Sequence, residues 1–284
     1  MTGEQRYPFD LHLHSTFSDG LKTPSELCEM AVKSGVTLLS LSDHDTAEGV
    51  APMAEAAGGR VRFLPAVELS SGPDGRIHVL GYGASAQNEA LARHFCRMAA
   101  SRRERMAKML ARLREMGIPI APEALPESTS PGRAHVARAL VRAGVVSDVE
   151  QAFERYLRPG GPAYVSRDFL SAGEAVQLLR EAGCVPVLAH PVLLKLTPPT
   201  LHALVRELKG RGLRGVEAYH PSAGAGNARA LALMARAEGL LVTGGSDYHG
   251  DPDAANAMGV MPAGWQTANE DAQALWNAAS KETR

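Results

Sequence analysis

The chain is poor in residues that would crosslink it or hold it in a membrane. Its three cysteines, Cys28, Cys96 and Cys184, show no paired spacing, which argues against a disulfide framework or a cysteine zinc site and suits a reducing cytoplasm. No run approaches the roughly 18 apolar residues that a membrane helix needs, and residues 1–8 lack the apolar segment of a signal peptide. We therefore expect a cytoplasmic protein without a membrane partner.

Aromatic residues and net charge are also scarce. Aromatics make up 5% of the 284 residues, and the formal net charge is -1. A path for long single strands of nucleic acid needs a basic groove with stacking aromatics, so this composition favours a small substrate or a short end. No glycine-rich phosphate loop of the Walker or dinucleotide type is present. Nothing in the sequence indicates an obligate protein partner.

Strand-like runs alternate with helix-like segments over most of the chain. The alternation predicts an α/β fold with a barrel-like sheet of seven strands. Thr23, Pro24 and Glu26 form the start signal of one helix, since they supply an N-cap, a first-turn proline and a capping box. The predicted strands are residues 9–14, 37–41, 62–69, 76–82, 185–189, 215–219 and 240–245.

The alternation stops in the middle of the chain. Residues 88–165 read as helices and are predicted to form a helical insertion that caps the substrate, between barrel parts at 8–87 and 166–284. Between Arg93 and Arg158 the sequence has 13 Lys and Arg against 7 Asp and Glu. The run from Arg102 to Arg105 predicts a solvated helix face, and the alternative is attraction of an anionic substrate.

Histidines and carboxylates recur in or at the ends of the strand-like runs. His12 and His14 alternate along the first run and would project from one face of a strand. In barrels, active sites form where strands end at their carboxyl termini. The pattern therefore predicts a metal centre beside close backbone packing at Gly244 and Gly245. Its nine candidate ligands are His12, His14, Asp19, His44, Glu68, His78, His190, Asp247 and His249.

The ligand types favour hydrolysis of phosphate esters. Imidazole and carboxylate without thiolate suit Mn²⁺, which we expect, with Fe²⁺, Zn²⁺ or Mg²⁺ as alternatives. Nine groups are too many for one ion, so two or three divalent metal ions with a bridging carboxylate are expected. Clustered ions stabilise both oxygens of a phosphoryl displacement and generate hydroxide near neutral pH.

These segments resemble the motifs of the PHP (polymerase and histidinol phosphatase) superfamily over residues 8–262. Ala66 departs from the pattern, because glycine is more usual there. The matching segments are Asp10-Leu11-His12-Leu13-His14-Ser15 with Ser18-Asp19-Gly20, Leu41-Ser42-Asp43-His44-Asp45-Thr46, Pro65-Ala66-Val67-Glu68-Leu69-Ser70, Ile77-His78-Val79-Leu80-Gly81-Tyr82, Ala189-His190-Pro191 and Gly245-Ser246-Asp247-Tyr248-His249-Gly250.

The resemblance implies a distorted seven-stranded (β/α)7 barrel and three metal subsites. Attack by a metal-bridging hydroxide is implied, with His12, His14, Glu68, His190 and Asp247 as the catalytic residues. The implied subsites are His12, His14, Glu68 and Asp247 for one ion, Glu68, His78 and His190 for the second, and Asp19, His44 and His249 for the third.

The insertion carries a further resemblance. Its segment 131–140 is similar to the Arg-x-His segment of short PHP phosphoesterases that act on 3′,5′-bisphosphonucleotides and short RNA ends. We therefore expect Arg133 and His135 to contact substrate phosphate. His220 and Asn227, after the sixth strand, are further candidates for the substrate pocket. His94 and His202 are predicted to be ordinary surface residues.

The resulting hypothesis is a metal-dependent phosphatase or exonuclease. The expected substrate is the 3′-phosphate of a 3′,5′-bisphosphonucleotide, the 5′ end of short RNA, or both. Histidinol-phosphate phosphatase is the alternative enzyme activity, and the insertion argues against it. An alternative of another class is a non-catalytic module that binds metal or nucleotide for regulation.

Overall fold

Seven strands form one sheet in sequence order. The computed structural model describes residues 9–250 and 256–282. Neighbouring strands are parallel except around β4, which runs antiparallel to both β3 and β5. The strands are β1 (Phe9–Asp10), β2 (Leu38–Leu41), β3 (Arg62–Ser71), β4 (Ile77–Tyr82), β5 (Val185–Leu188), β6 (Gly215–Tyr219) and β7 (Leu241–Gly244).

The two edges of the sheet approach each other, so the sheet is a nearly closed barrel. The Leu11 N–H donates to the Gly244 carbonyl across 3.3 Å, and the His14 N–H donates to the Tyr248 carbonyl across 3.0 Å. Leu13 and Tyr248 form an isolated parallel bridge. The predicted α/β class and seven-stranded barrel are confirmed.

Helices follow most strands. The capping box predicted at Thr23 is present, since the Thr23 hydroxyl accepts from the Glu26 N–H and the Glu26 carboxylate accepts from the Thr23 N–H. The helices are α1 (Pro24–Ser34), α2 (Val50–Ala57), α3 (Glu89–Glu115), α4 (Arg133–Arg142), α5 (Val149–Ala152) continued by a π-helix (Phe153–Leu157), α6 (Ala172–Glu181), α7 (Pro198–Arg211), α8 (Gly224–Ala237) and α9 (Asn269–Glu282).

The apolar side chains form separate clusters. The largest fills the space between the sheet and α6 to α9 and includes Leu80, Val187 and Leu275. Another lies among α3, α4 and α5 and includes Leu113 and Leu140, so the second half of α3 packs within the insertion. The start of α3 packs on the barrel through Leu91 and Phe95. Helices α3, α4 and α5 thus share an apolar cluster of their own, and the start of α3 also packs on the barrel.

The structure corrects several details. The first strand ends at Asp10 rather than residue 14, because residues 11–14 bond to the loops after β2 and β7 instead of to a regular ladder. Helix α9 was not predicted from the sequence. The prediction for His94 was wrong, since its side chain is buried in α3. Among the described residues no helix is both long and apolar enough to cross a membrane.

Candidate metal centre

The nine predicted ligands converge at one end of the barrel. Gly245 packs so closely on the His12 backbone that a Cβ at this position would overlap it, as the close packing predicted there requires. The ligands take these places: His12, His14 and Asp19 follow β1, His44 follows β2, Glu68 lies in β3, His78 lies in β4, His190 follows β5, and Asp247 and His249 follow β7.

Glu68 lies at the middle of the cluster. Its side chain is fully buried, and its carboxylate faces imidazoles from five different positions. The closest nitrogen to carboxylate oxygen distances are 2.8 Å for His44, 2.9 Å for His78 and His190, and 3.4 Å for His12 and His14. A carboxylate in this position has enough oxygen lone pairs to bridge two ions.

Asp247 completes one side of the cluster. Its Oδ1 lies 3.2 Å from His14 Nε2 and 3.5 Å from His12 Nε2. The residue has φ 52°, a conformation that non-glycine residues seldom adopt, and its N–H donates to the His12 carbonyl across 2.9 Å. Beyond it, His249 Nε2 lies 3.2 Å from Asp19 Oδ1.

Four overlapping sets of side chains are close enough to hold metal ions. Because the sets share members, the arrangement suits a cluster of neighbouring ions with bridging ligands. It differs from the implied subsites in placing His12 with His190, and His44 with His78. The sets are His14, Asp19, His44 and His249; His12, Glu68 and His190; His12, His14 and Asp247; and His44, Glu68 and His78.

Several of these atoms have no hydrogen-bond partner among the described residues, although buried polar atoms normally have one. They include Nε2 of His12 and of His14, Nδ1 of His44 and Oε2 of Glu68. The His44 and Glu68 atoms lie only 2.8 Å apart yet lack hydrogen-bond geometry. Unpartnered imidazole nitrogens and carboxylate oxygens, on side chains close enough to share an ion, fit the expected metal.

The electrostatics of the cluster favour ionised carboxylates. Burial opposes ionisation, but the imidazoles of His78, His44 and His12 hold the pKa of Glu68 well below its usual range. Burial, with the neighbouring charges of His249 and His44, lowers the pKa of His14 to about 3, so His14 is neutral and available as a ligand. Despite its burial, His249 beside two carboxylates has its pKa raised to about 9.

A cavity of about 190 Å³ opens against the cluster. One wall carries Asp19, His44 and His78 from the barrel. The opposite wall belongs to the insertion and the chain just after it, and it carries four arginines: Arg102, Arg105, Arg133 and Arg167. A substrate in this space would therefore lie between metal ligands and positive charge.

Comparisons with known proteins agree with this geometry. The chain is 34% identical over 258 residues to a 3′,5′-nucleoside bisphosphate phosphatase of Chromobacterium violaceum, covering 88% of this chain and 90% of that protein. It is 33% identical over 263 residues to a 5′-3′ exoribonuclease of Haemophilus influenzae, covering 90% and 91%. The chain belongs to the PHP family of phosphoesterases. No family model matches it.

A solved structure shares the fold of this PHP chain. It is an amidohydrolase from Chromobacterium violaceum with bound sulfate and no metal. The TM-score is 0.85 at 31% identity, and the match covers 97% of this chain and 96% of that one. The barrel and the insertion are therefore aligned almost in full.

The two residues of the Arg-x-His segment of this PHP chain have different environments. Arg133 begins α4 and lines the cavity, with its guanidinium over the rings of Phe153 and Tyr164 at 5.6 and 5.9 Å. His135 is buried, and its Nδ1 accepts from the Gly132 N–H at 3.0 Å. Arg133 is therefore placed to meet an anion, whereas His135 holds the start of α4.

The other two substrate candidates differ in their position relative to the metal ligands. His220 is buried, its Nδ1 accepts from the Ser222 N–H, and its Nε2 lies 3.4 Å from Asp247 Oδ2. It therefore faces the cluster and can orient that carboxylate. Asn227 is exposed on α8, at a groove lined by Pro191 and Met234 among others, rather than at the cavity beside the ligands.

Sequence reasoning missed Glu217, a buried carboxylate in β6. Its Oε1 lies 3.0 Å from His12 Nδ1, and its Oε2 accepts from the His190 N–H at 2.7 Å. Glu217 thus fixes the ring of His12 and the backbone of His190, and His190 has φ 25°. The sequence feature that could have identified Glu217 is the presence of an acidic residue in an otherwise apolar strand.

The prediction that residues 102–105 form a solvated helix face was wrong at two positions. Arg103 and Glu104 are exposed, but Arg102 and Arg105 are each only 8% exposed. Residues three apart share one face of a helix, and this face is turned toward the cavity. Arg102 donates to Asp45 through Nε at 3.0 Å and Nη2 at 2.5 Å.

Proposed function

We propose that this PHP phosphoesterase hydrolyses phosphate esters of nucleotides, acting on the 3′-phosphate of 3′,5′-bisphosphonucleotides, on the 5′ ends of short RNA, or on both. The observation that supports it most is the cavity between the His, Asp and Glu cluster and the four arginines. The names of the two curated relatives point to the same substrates.

The nine ligands are proposed to hold two or three divalent ions, Mn²⁺ first among them, since imidazoles and carboxylates suit it. Such ions activate water and neutralise phosphate charge. The side chains of His12, His14, Glu68, His190 and Asp247 would form the catalytic core. The chain itself would hold these groups in fixed positions before substrate binds. The hydrogen bonds of Glu217 with the His12 ring and the His190 N–H are examples.

The insertion is proposed to act as the substrate cap. Residues 88–165 supply Arg102, Arg105 and Arg133 to the cavity wall, and the remaining arginine follows at 167. Their positive charge favours a phosphorylated substrate. We also propose a cytoplasmic location, which the free state of all three cysteines supports.

Histidinol-phosphate phosphatase is not favoured, because the curated relatives are named for nucleotide and RNA substrates. A non-catalytic module is not favoured either, since every ligand position is filled and the set converges.

The test is phosphate or nucleotide release from a substrate panel by the Mn²⁺-loaded protein. The panel contains adenosine 3′,5′-bisphosphate, AMP, 5′-phosphorylated oligoribonucleotides and histidinol phosphate. We expect turnover of the bisphosphate, the oligonucleotides or both, with little from AMP. Preference for histidinol phosphate, or no release from any substrate, would contradict the proposal.

A further inference from the structure

A buried carboxylate joins the loop after β2 to the turn after β1. Asp43 follows β2 and is 2% exposed. Its Oδ1 accepts from the Ser15 N–H at 2.8 Å and from the Ser18 hydroxyl at 2.6 Å, and its Oδ2 accepts from the Ser15 hydroxyl at 2.7 Å. Both serines are buried as well. One carboxylate therefore holds two serines of the turn between His14 and Asp19.

The shortest of these hydrogen bonds fixes the direction of the Ser18 proton. A serine hydroxyl has one proton to donate and two lone pairs that accept. The Ser18 oxygen lies 2.6 Å from Asp43 Oδ1 but 3.5 Å from Asp19 Oδ1, and bonds from a hydroxyl to a carboxylate are typically about 2.5–2.7 Å long. The proton therefore points at Asp43, and the Ser18 oxygen is left to accept.

The ring of His14 meets this oxygen. Its Nδ1 lies 3.4 Å from Ser18 Oγ, whereas Asp19 Oδ1 lies 3.9 Å from the same nitrogen. Because the Ser18 oxygen can only accept here, Nδ1 must carry the ring proton for this bond to form. A neutral imidazole has one ring proton, so Nε2 then has a free lone pair.

The other side of the ring agrees with this tautomer. Nε2 of His14 has no hydrogen-bond partner among the described residues, although Asp247 Oδ1 lies 3.2 Å and Glu68 Oε2 lies 3.4 Å away. An unprotonated ring nitrogen close to two carboxylate oxygens is a set of donor atoms that suits a divalent cation. The proton on Nδ1 therefore leaves the metal-facing nitrogen free.

The turn that carries Ser18 is also held from the insertion. The Ser128 hydroxyl donates to the Ser18 carbonyl at 2.6 Å, and the Thr129 hydroxyl donates to the Phe17 carbonyl at 2.8 Å. Within the turn, the Ser18 N–H donates to the Ser15 carbonyl at 3.1 Å. The backbone thus has supports besides the Ser18 hydroxyl, and we expect the turn to keep its place when that hydroxyl is removed.

We propose that Asp43 and Ser18 form a relay that fixes the tautomer of His14, with the ring proton on Nδ1 and with Nε2 left as the ligand atom. Ser18 and Asp43 are positioning residues, and Asp43 acts through Ser18. A fixed acceptor at the second nitrogen of a ligand histidine sets its tautomer and supports metal affinity. This inference rests on the proposed metal centre and does not depend on the substrate.

Ser18→Ala tests the relay. Without the acceptor at Nδ1, we expect the ring proton of His14 to move to Nε2, where Asp247 and Glu68 can accept it. Metal must then displace that proton, and loss of such an outer partner lowers metal affinity about 10- to 100-fold. The measurements are Mn²⁺ titration of the metal-stripped full-length protein and NMR of its histidine rings, which shows which nitrogen carries the proton.

Ser15→Ala is the matched control. It removes a buried hydroxyl of the same turn that donates to the same carboxylate, but this hydroxyl bonds Asp43 and the Phe17 N–H rather than His14. Both variants should lose similar stability in urea, so a structural effect alone would weaken Mn²⁺ binding in both. We expect Ser15→Ala to keep the proton on Nδ1 and to bind Mn²⁺ within about threefold of the wild type.

The position of the ring proton separates the possible failures. A proton on Nδ1 in the wild type and in Ser15→Ala, with a shifted proton and weaker Mn²⁺ binding in Ser18→Ala alone, would support the relay. A proton on Nε2 in the wild type, or equal Mn²⁺ affinities of the two variants, would overturn it. If Ser18→Ala shifts the proton but the wild type binds no Mn²⁺, the relay stands and the proposed metal centre is refuted.

Discussion

At the scale of single residues, the molecule concentrates buried charge around Glu68. Its carboxylate contacts imidazoles from β4 and from the segments that follow β1, β2 and β5. Such a set is costly without a compensating cation, since buried charges are stable only when paired or bound to metal. Metal binding and the native arrangement of these residues are therefore coupled.

Glu217 allows a direct test of ligand positioning. Glu217→Gln keeps the size of the side chain but weakens its hold on the His12 ring, and loss of such an outer partner lowers metal affinity about 10- to 100-fold. The measurement is Mn²⁺ titration of metal-stripped protein. Glu207→Gln, an exposed substitution on α7, should leave the affinity unchanged. Equal affinities for the two variants would refute the role of Glu217.

His249 predicts proton release on metal binding. The carboxylates beside it raise its pKa to about 9 in the metal-free chain, so at pH 7.5 it is protonated, whereas a metal ligand must be neutral. Mn²⁺ binding should therefore release about one proton or more, and the apparent affinity should rise with pH up to about 9. Calorimetry in buffers of different ionisation enthalpy measures this number. Heats that do not depend on the buffer would contradict it.

The ligands could be predicted from the sequence because each stands at a fixed point near a strand end. His12, His14 and Asp247 belong to short local motifs. Glu217 and the pair Arg105 and Arg167 could not be placed, since their roles depend on contacts between segments far apart in the chain.

At the scale of elements, the barrel ends and the insertion meet at Asp45. This residue follows His44, has φ 51°, and accepts from the Ser70 N–H at 2.9 Å through Oδ1. Its Oδ2 accepts from Arg102 in α3 and from Arg167 in the chain that returns to the barrel. One buried carboxylate therefore links α3 and the segment before α6 to the loop that carries a metal ligand.

Asp45→Asn tests this link. It leaves two buried guanidinium groups without a counter-charge, and breaking a buried pair typically costs about 3–5 kcal/mol. We expect a loss of about 3 kcal/mol in the free energy of unfolding, measured with urea. Glu89→Gln breaks an exposed pair with Arg93 on the same helix and should cost less than about 1 kcal/mol. Similar losses in the two variants would contradict the account.

The elements themselves were predictable to different extents. Alternating apolar runs and the capping box at Thr23 located the barrel strands and α1. The antiparallel setting of β4 follows from the tight turn Pro73–Gly75, where Asp74 has φ 56°. Helix α9 was not predicted, because its many small residues give only a weak apolar pattern. The face that it buries is evident only from its packing against β7.

At the scale of the whole molecule, a net charge of -1 conceals a division of charge. Carboxylates and imidazoles occupy the barrel end, and arginines of the insertion and the following segment face them across the cavity. The separate apolar cluster of the insertion supports this second wall. The division explains how a nearly neutral chain can offer one site to both cations and a phosphate.

The most direct test of the account is phosphate release from adenosine 3′,5′-bisphosphate by metal-stripped protein as Mn²⁺ is added back. We predict no release before addition, recovery once ions bind, and a loss of at least about 100-fold in His14→Ala. His202→Ala, which removes a histidine of α7 outside the cluster, should retain full activity. Undiminished release without metal, or full activity in His14→Ala, would contradict the account.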